Sequence, residues 1–218
     1  MPSLRQLRAH FPALVIDAAS ARVQVGCLLP DGTATWRSSE AEAGTALFEL
    51  VHDLPLRPDE AGCFIYCAGP GSILGIRTAA MAIRTWCVLR PRPVFSYLSL
   101  ALVAHAAEDP QLQVIADARR DSWHCFARDR GLSRVPPAAL SGSLAMPDGF
   151  RHWSALPPGT RSCPYDVGHL LARTEEIDLF HDAPSPDAFL AEEPTYLGWT
   201  PQVHRAPSPG SARKPEAS

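Results

Sequence analysis

Residues Cys67-Ala68-Gly69-Pro70-Gly71-Ser72-Ile73-Leu74-Gly75-Ile76-Arg77 decide the reading of this chain. The apolar run Gly62 to Ala68 leads in as a strand. Ile73 to Leu89, rich in Ala and β-branched residues, leads out as a helix and is stopped by Arg90-Pro91-Arg92-Pro93. Between them Gly69-Pro70-Gly71-Ser72 makes a tight turn, with Ser72 where a helix N-cap belongs. A helix that starts so presents free N–H groups and a partial positive charge, which suits an anion. The turn is not a phosphate-binding P-loop, because the Lys is missing. It is not a dinucleotide fingerprint, because its third glycine, Gly75, comes one residue late. Two readings stay open. One is an anion cradle built from Gly69, Gly71, Ser72, Gly75 and Arg77. The other is a tight strand-to-helix turn in which Gly75 lets the helix approach the sheet.

Upstream, Leu14 to Ala19 is a short apolar run carrying one acid, Asp17. Arg22 to Leu29 alternates, with Val23, Val25 and Cys27 on one face. Pro30-Asp31-Gly32-Thr33 turns the chain, and Ala34 to Arg37 returns as a third strand. Ser39 and Glu42 have capping-box spacing. Leu47, Leu50, Val51 and Leu54 then recur at helical spacing and stop before Pro55. Downstream, Val94 to Ser96 is a strand and Leu98 to Ala107 a helix ending before Pro110. The first half therefore reads βββαβαβα. A meander followed by crossovers is the order of the ribonuclease-H-like, actin-like α/β fold, with crossover strands buried on both faces.

The second half is patterned more weakly. Leu112 to Asp117 and Ser122 to Arg128 read as strands around an Arg119-Arg120-Asp121 turn. Val135 to Pro164 reads as loop, and Val167 to Ile177 as one helix. Leu197 to Val203 reads as extended, and the chain from Ala206 as a disordered tail of Pro, Ser, Gly, Ala and charge. Thirteen of the 22 prolines fall at or after Pro136, so the halves are built differently. The expected organisation is a first subdomain at 13–109, a degenerate second at 110–205 and a tail at 206–218. No internal repeat is visible.

Composition narrows the chemistry. With 46% hydrophobic and 20% charged residues, the 218-residue chain is globular rather than disordered. Its formal charge of −3 excludes a broad basic surface but not a local patch. The only Lys is Lys214, so Schiff-base chemistry is excluded from the folded part. The six cysteines form no C-x-x-C pair and read as reduced, buried small hydrophobes. No two of the eight His stand four apart on a helix, and no G-x-S-x-G elbow is present, so neither a metal site nor a catalytic residue is expected. The N-terminal apolar run is too short for a signal core, and no window approaches the ~18 apolar residues of a membrane span. The expected location is the cytoplasm.

Two strand-end acids remain. Asp17 could hold a magnesium ion through water, or simply end its strand by accepting bonds from turn amides. Asp117 with Arg119 reads as a salt-bridged or hydrogen-bonded corner.

Gly69 to Arg77 resembles the G-P-G-S-F-T-G-[LV]-R motif of the TsaB (YeaZ) family. Other matches follow in order. Val15-Ile16-Asp17-Ala18-Ala19 resembles that family's A-I-D-T-[SA], Asp117-Ala118-Arg119 its D-A-R, and Glu193-Pro194-Thr195-Tyr196-Leu197 its closing P-x-Y-L-R. The resemblance spans roughly residues 13–200. It implies an actin-like fold and a non-catalytic subunit that pairs with a TsaD-like protein in threonylcarbamoylation of tRNA adenosine. It also implies a further complex with a TsaE-like ATPase, tRNA met only through the partner, and ADP or ATP at a subunit junction. The family's pairing surface maps onto the first two helices, through Leu47, Leu50, Val51 and Leu54 and through Ile73, Ile76, Ala80 and Met81. An apolar helix face covers either its own sheet or a partner, so core packing is the competing reading. The chain departs from the family at Ile73-Leu74, Ala18-Ala19, Ser38-Ser39-Glu40 and Gly198.

Three functions are therefore weighed. The first is a TsaB-like docking subunit. The second is a diverged interaction module or homodimer of the same fold. The third is a nucleotide-dependent enzyme using Asp17 for magnesium and the glycine turn for phosphate.

Overall fold

The computed structural model describes residues 1–189 of the chain. The closing motif, the extended segment at 197–203 and the tail lie outside those residues.

The strand β1 (Ala13–Asp17) is buried at every position, as a central strand between two layers must be. It pairs antiparallel with β2 (Val23–Leu28), and β2 with β3 (Ala34–Ser39). On its other side β1 pairs parallel with β4 (Cys63–Gly69), and β4 with β5 (Val94–Leu98). The parallel pairs are bridged by α2 (Ala43–His52), packed on β2, and by α3 (Ile73–Leu89), packed on β4. Next comes α4 (Ser99–Ala106), where seven of eight residues are buried. It lies between this sheet and the next, touching β4 and β5 on one side and β6 (Gln113–Asp117) and β7 (Trp123–Ala127) on the other. A helix apolar all round is stable only when covered all round.

The second sheet continues with β8 (Gly131–Val135), β9 (Leu144–Pro147) and β10 (Arg161–Cys163). Its strand order is β10-β9-β6-β7-β8, against β5-β4-β1-β2-β3 in the first. The senses agree as well. In each sheet the leading strand pairs antiparallel with the second, and the second with the third; it pairs parallel with the fourth, and the fourth with the fifth. The chain thus repeats one topology that no sequence repeat announced. The stretch read as loop from 135 to 164 holds β9 and β10.

Three further segments differ from expectation. Ser39 and Glu42 do not form a capping box: the Ser39 hydroxyl accepts from the Ala41 amide, and Glu42 caps α2 without its side chain. A capping box forms instead at Ser3 and Gln6, opening α1 (Leu4–Leu7). The helix expected to reach Ile177 is α5 (Val167–Arg173), capped by Asp166 and followed by turns. The chain then returns to the first sheet, where β11 (His181–Asp182) pairs antiparallel with β5. The N-terminus is tied to this return by Arg5–Glu176 and Arg8–Glu175 ion pairs, each 2.5 Å. One apolar core joins most of both units, with a small satellite around Ile115, Trp123, Cys125 and Leu144.

Candidate functional site

Asp17 ends β1 fully buried. Its Oδ1 accepts from the Ala19 amide at 2.9 Å. Its Oδ2 accepts from the Tyr97 hydroxyl at 2.6 Å and the Tyr165 hydroxyl at 2.7 Å. Burial pushes the carboxyl above the usual range, against these bonds, which favour the charged form. Both phenols and the neighbouring Cys67 thiol are pushed well above their ordinary values, first by burial and then by the charge of Asp17. Tyr165 comes from the second unit. Its carbonyl accepts from Arg22 and Gln24 at 2.9 and 3.0 Å, and the Gln24 side chain accepts from the Val167 amide at 3.0 Å. The carboxylate is therefore a knot tying the two units together. Enclosed by phenols and a turn amide, it leaves no face for a hydrated magnesium ion, so the strand-ending alternative describes this residue.

The glycine turn is used by the chain itself. Ser72 caps α3 by accepting from the Gly75 amide at 3.4 Å, and the Ser72 amide donates to the Ala19 carbonyl at 2.7 Å. A Cβ on Gly71 would overlap the Ala19 carbonyl oxygen, and one on Gly75 the Ala18 carbonyl oxygen. Gly69, with φ at 115°, leads into this close approach of helix end to turn. Gly71 and Gly75 thus serve the close approach of the Ala18–Ala19 backbone to this helix end, the alternative use that the sequence left open for Gly75. Arg77 turns elsewhere, with its guanidinium 3.7 Å from the Asp187 carboxylate.

The eight residues expected at a pairing surface divide. Leu47, Leu50, Val51, Leu54, Ile76 and Ala80 are buried in the protein's own core. That corrects their assignment to a partner, because the helical stripe they form faces the sheet. Ile73 and Met81 stay outside, 49% and 56% exposed. Met81 shares an outer face with Phe48, 51% exposed, and Leu74, 71% exposed, two residues that sequence reasoning missed. Phe48 lies edge-on to Trp86, which stacks on Phe64 beneath. The Thr78 and Thr85 hydroxyls donate back to the Leu74 and Met81 carbonyls at 2.9 Å, so they offer the face methyl groups. Between α2 and α3 this leaves a groove of about 420 Å³ lined mainly by Phe48, Leu74, Met81 and Trp86. The signal was present in sequence: Leu74, Thr78, Met81 and Thr85 form a second stripe along α3.

Asp117 ends β6, the counterpart of β1. Its Oδ1 accepts from the Arg119 amide at 2.6 Å and its Oδ2 from the Trp153 and Ser154 amides at 2.7 and 2.9 Å. Burial pulls this carboxyl up, but the Ser154, Trp153 and Arg119 amides outweigh it and hold it below the usual range. Arg119, Arg120 and Asp121 follow with φ of 61°, 49° and 51°. Three successive left-handed non-glycine residues store about 1 kcal/mol or more each. The expected corner is thus hydrogen-bonded rather than salt-bridged, since the Arg119 guanidinium lies 4.1 Å over the Trp153 ring.

All six cysteines are free, and burial raises the Cys63 thiol to about 12 and the Cys163 thiol to about 11. Among the described residues no group of three or more His, Cys, Asp or Glu is placed to hold a metal ion, and no helix is long and apolar enough to cross a membrane.

No family model matches the chain, and no curated protein matches it. Solved structures do. One is titled an uncharacterized protein with similarity to peptidase YeaZ from Pseudomonas aeruginosa; at 18% identity and a TM-score of 0.56 the match covers 74% of this chain and 88% of that one. YeaZ from Pseudomonas aeruginosa matches at 20% identity and a TM-score of 0.51, covering 63% of this chain and 76% of that one. The fold is YeaZ-like. Within this YeaZ-like fold, a sealed carboxylate knot, an apolar outer face and a strained arginine turn are the features open to functional reading.

Proposed function

We propose that the chain is a non-catalytic docking subunit that uses the outer face of α2 and α3 to pair with a TsaD-like protein in threonylcarbamoylation of tRNA adenosine. The observation that carries this reading is the exposed set Phe48, Ile73, Leu74 and Met81, whose neighbouring threonines hide their hydroxyls. A contiguous apolar face of this kind is costly to leave in water and marks an interaction surface. The YeaZ-like fold and the Gly69–Arg77 motif support the choice of partner class. Two features speak for a subunit rather than an actin-like enzyme. The acid at the end of β1 is occupied by two phenols, and Gly71 and Gly75 are packed against Ala19 and Ala18. Any ADP or ATP is then expected at a junction with the partner, not on this turn, and a TsaE-like ATPase and tRNA are expected to join through the complex. The expected setting is cytoplasmic.

Co-expression with the TsaD-like protein of the same genome, followed by size exclusion, tests the reading. The expected result is one hetero-complex that Leu74→Arg and Met81→Arg abolish without changing Tm. Absence of a complex, or a complex indifferent to both substitutions, overturns it. A second reading is favoured by the face's chemistry. Its one charge, Arg77, is drawn toward Asp187, so a second copy meets no repulsion. A homodimer sensitive to the same substitutions, with no hetero-complex, identifies the diverged module.

A further inference from the structure

We infer that the turn after β6 and the loop at 151–154 form a binding platform for single-stranded nucleic acid, on the opposite unit from the α2–α3 face. Trp153 is 63% exposed, an unusual placement for an indole outside an interface. It is not a loose side chain. Its amide and that of Ser154 are held by Asp117, and one ring face is backed by the Arg119 guanidinium at 4.1 Å. The result is a preorganised flat surface, the geometry on which a base stacks.

Exposed cations stand in the two segments that carry it. Arg119 and Arg120 project from the left-handed turn, and Arg151 precedes the tryptophan by two residues. All three are exposed. The turn's carbonyls are taken from within: Arg134 donates to the Ala118 and Arg119 carbonyls at 3.3 and 3.4 Å, and to the Ser122 hydroxyl at 2.8 Å. The strained backbone is thereby held, and the outward arginine heads are left to other work. The acids nearby compete little. Asp117 spends its oxygens on three amides, and only Asp121 adds a second negative charge to the turn. Guanidinium groups suit phosphate bidentately and stack on planar rings. The local charge is thus positive on a chain whose formal net charge is −3. That predicts binding confined to a few nucleotides, with no broad non-specific affinity. Every nucleotide brings both a phosphate for the arginines and a planar base for the indole, whereas an acidic side chain brings only the charge, and nucleic acid therefore matches the platform better.

The test is fluorescence anisotropy of the full chain with labelled eight-nucleotide RNA and DNA of one sequence, at several salt concentrations. Both are expected to bind at low salt. About three phosphate contacts give log affinity against log salt a slope of about −2. Trp153→Ala is expected to weaken binding roughly tenfold or more, and Trp153→Phe to restore most of it. Arg120→Ala with Arg151→Ala should flatten the salt slope with the indole intact. Equal binding of RNA and DNA assigns the shared base and phosphate chemistry; tighter RNA binding adds contact with the 2′-hydroxyl. Failure of both oligonucleotides to bind overturns the proposal. So does binding unchanged in Trp153→Ala, or equal competition by a poly-glutamate peptide. None of these outcomes depends on the α2–α3 pairing.

Discussion

Asp17 and Asp117 stand at the same place in two sheets of the same strand order, each the last residue of the leading strand, yet their surroundings are opposite. Asp17 is sealed between α3 and the second unit and takes two of its bonds from phenols. Asp117 is half-buried and takes all three from backbone amides. The first sheet carries helices α2 and α3 between its parallel strands, so the turn after Asp17 is covered by the end of α3. The second sheet connects the corresponding strands through proline-rich loops, so the turn after Asp117 meets the 151–154 loop and the Arg134 side chain rather than a helix end. Packing, rather than strand order, decided which acid became a structural knot and which a surface anchor.

The largest expected effect comes from breaking the knot. Asp17→Ala leaves two buried phenols and an amide without acceptors and should lower stability by about 3–5 kcal/mol in urea unfolding. Tyr165→Phe removes one donor and one of the ties between the units, and should lower it by about 1–2 kcal/mol. A loss for Asp17→Ala no larger than that for Asp117→Ala would mean that the two acids are alike after all. Next is the seat of α3. In an exposed helix Gly→Ala gains about 1 kcal/mol, but at Gly75 the new Cβ meets the Ala18 carbonyl, and overpacking of about 1–3 kcal/mol wins. Thermal unfolding of Gly75→Ala should therefore show a lower Tm, and a rise would refute the close contact. Comparable in size is Asp117→Ala, which should cost about 1–2 kcal/mol because water can partly replace the carboxylate for its three amides.

The smallest effect, and the sharpest in sign, is on pH. The carboxyl of Asp117 is lowered in the folded state, so the unfolded chain binds the extra proton. Its stabilisation is present above the unfolded value of about 3.9 and is lost as pH falls through the folded one. The carboxyl of Asp17 is raised, so the folded chain binds the extra proton. Stability from this group is greatest below about 3.9 and declines as pH rises through the folded value. The deficit of Asp117→Asn should accordingly grow as pH rises to about 4 and then level, while that of Asp17→Asn should shrink as pH rises beyond it. Denaturation series across acidic pH with both variants would show slopes of opposite sign; equal slopes would erase the distinction.

Much of the first unit was legible because its signals are local. The alternation of Val23, Val25 and Cys27, the stripe of Leu47, Leu50, Val51 and Leu54, and the proline stop after Leu89 each act within one element. The second unit was legible only in part: β6, β7 and the start of α5 were read, but β9 and β10 are four and three residues long and are joined by loops rather than by helices with a period. Six of the eight residues read as interface proved to be core for a related reason. A stripe at helical spacing reveals that a face is apolar, not whether the apolar neighbour is the chain's own sheet, and α3 carries two stripes.

Residue order alone determined the elements from β1 to α4, the glycines the α3 end would need, the absence of a folded lysine and the net charge, all properties of short segments or of composition. Only the tertiary structure decided what Asp17 does, since its partners Tyr97 and Tyr165 lie 80 and 148 residues away. It alone also gave Leu74, Met81 and Phe48 to the surface and set Arg119 on Trp153. Burial and hydrogen bonding are relations between distant segments, and no local pattern carries them.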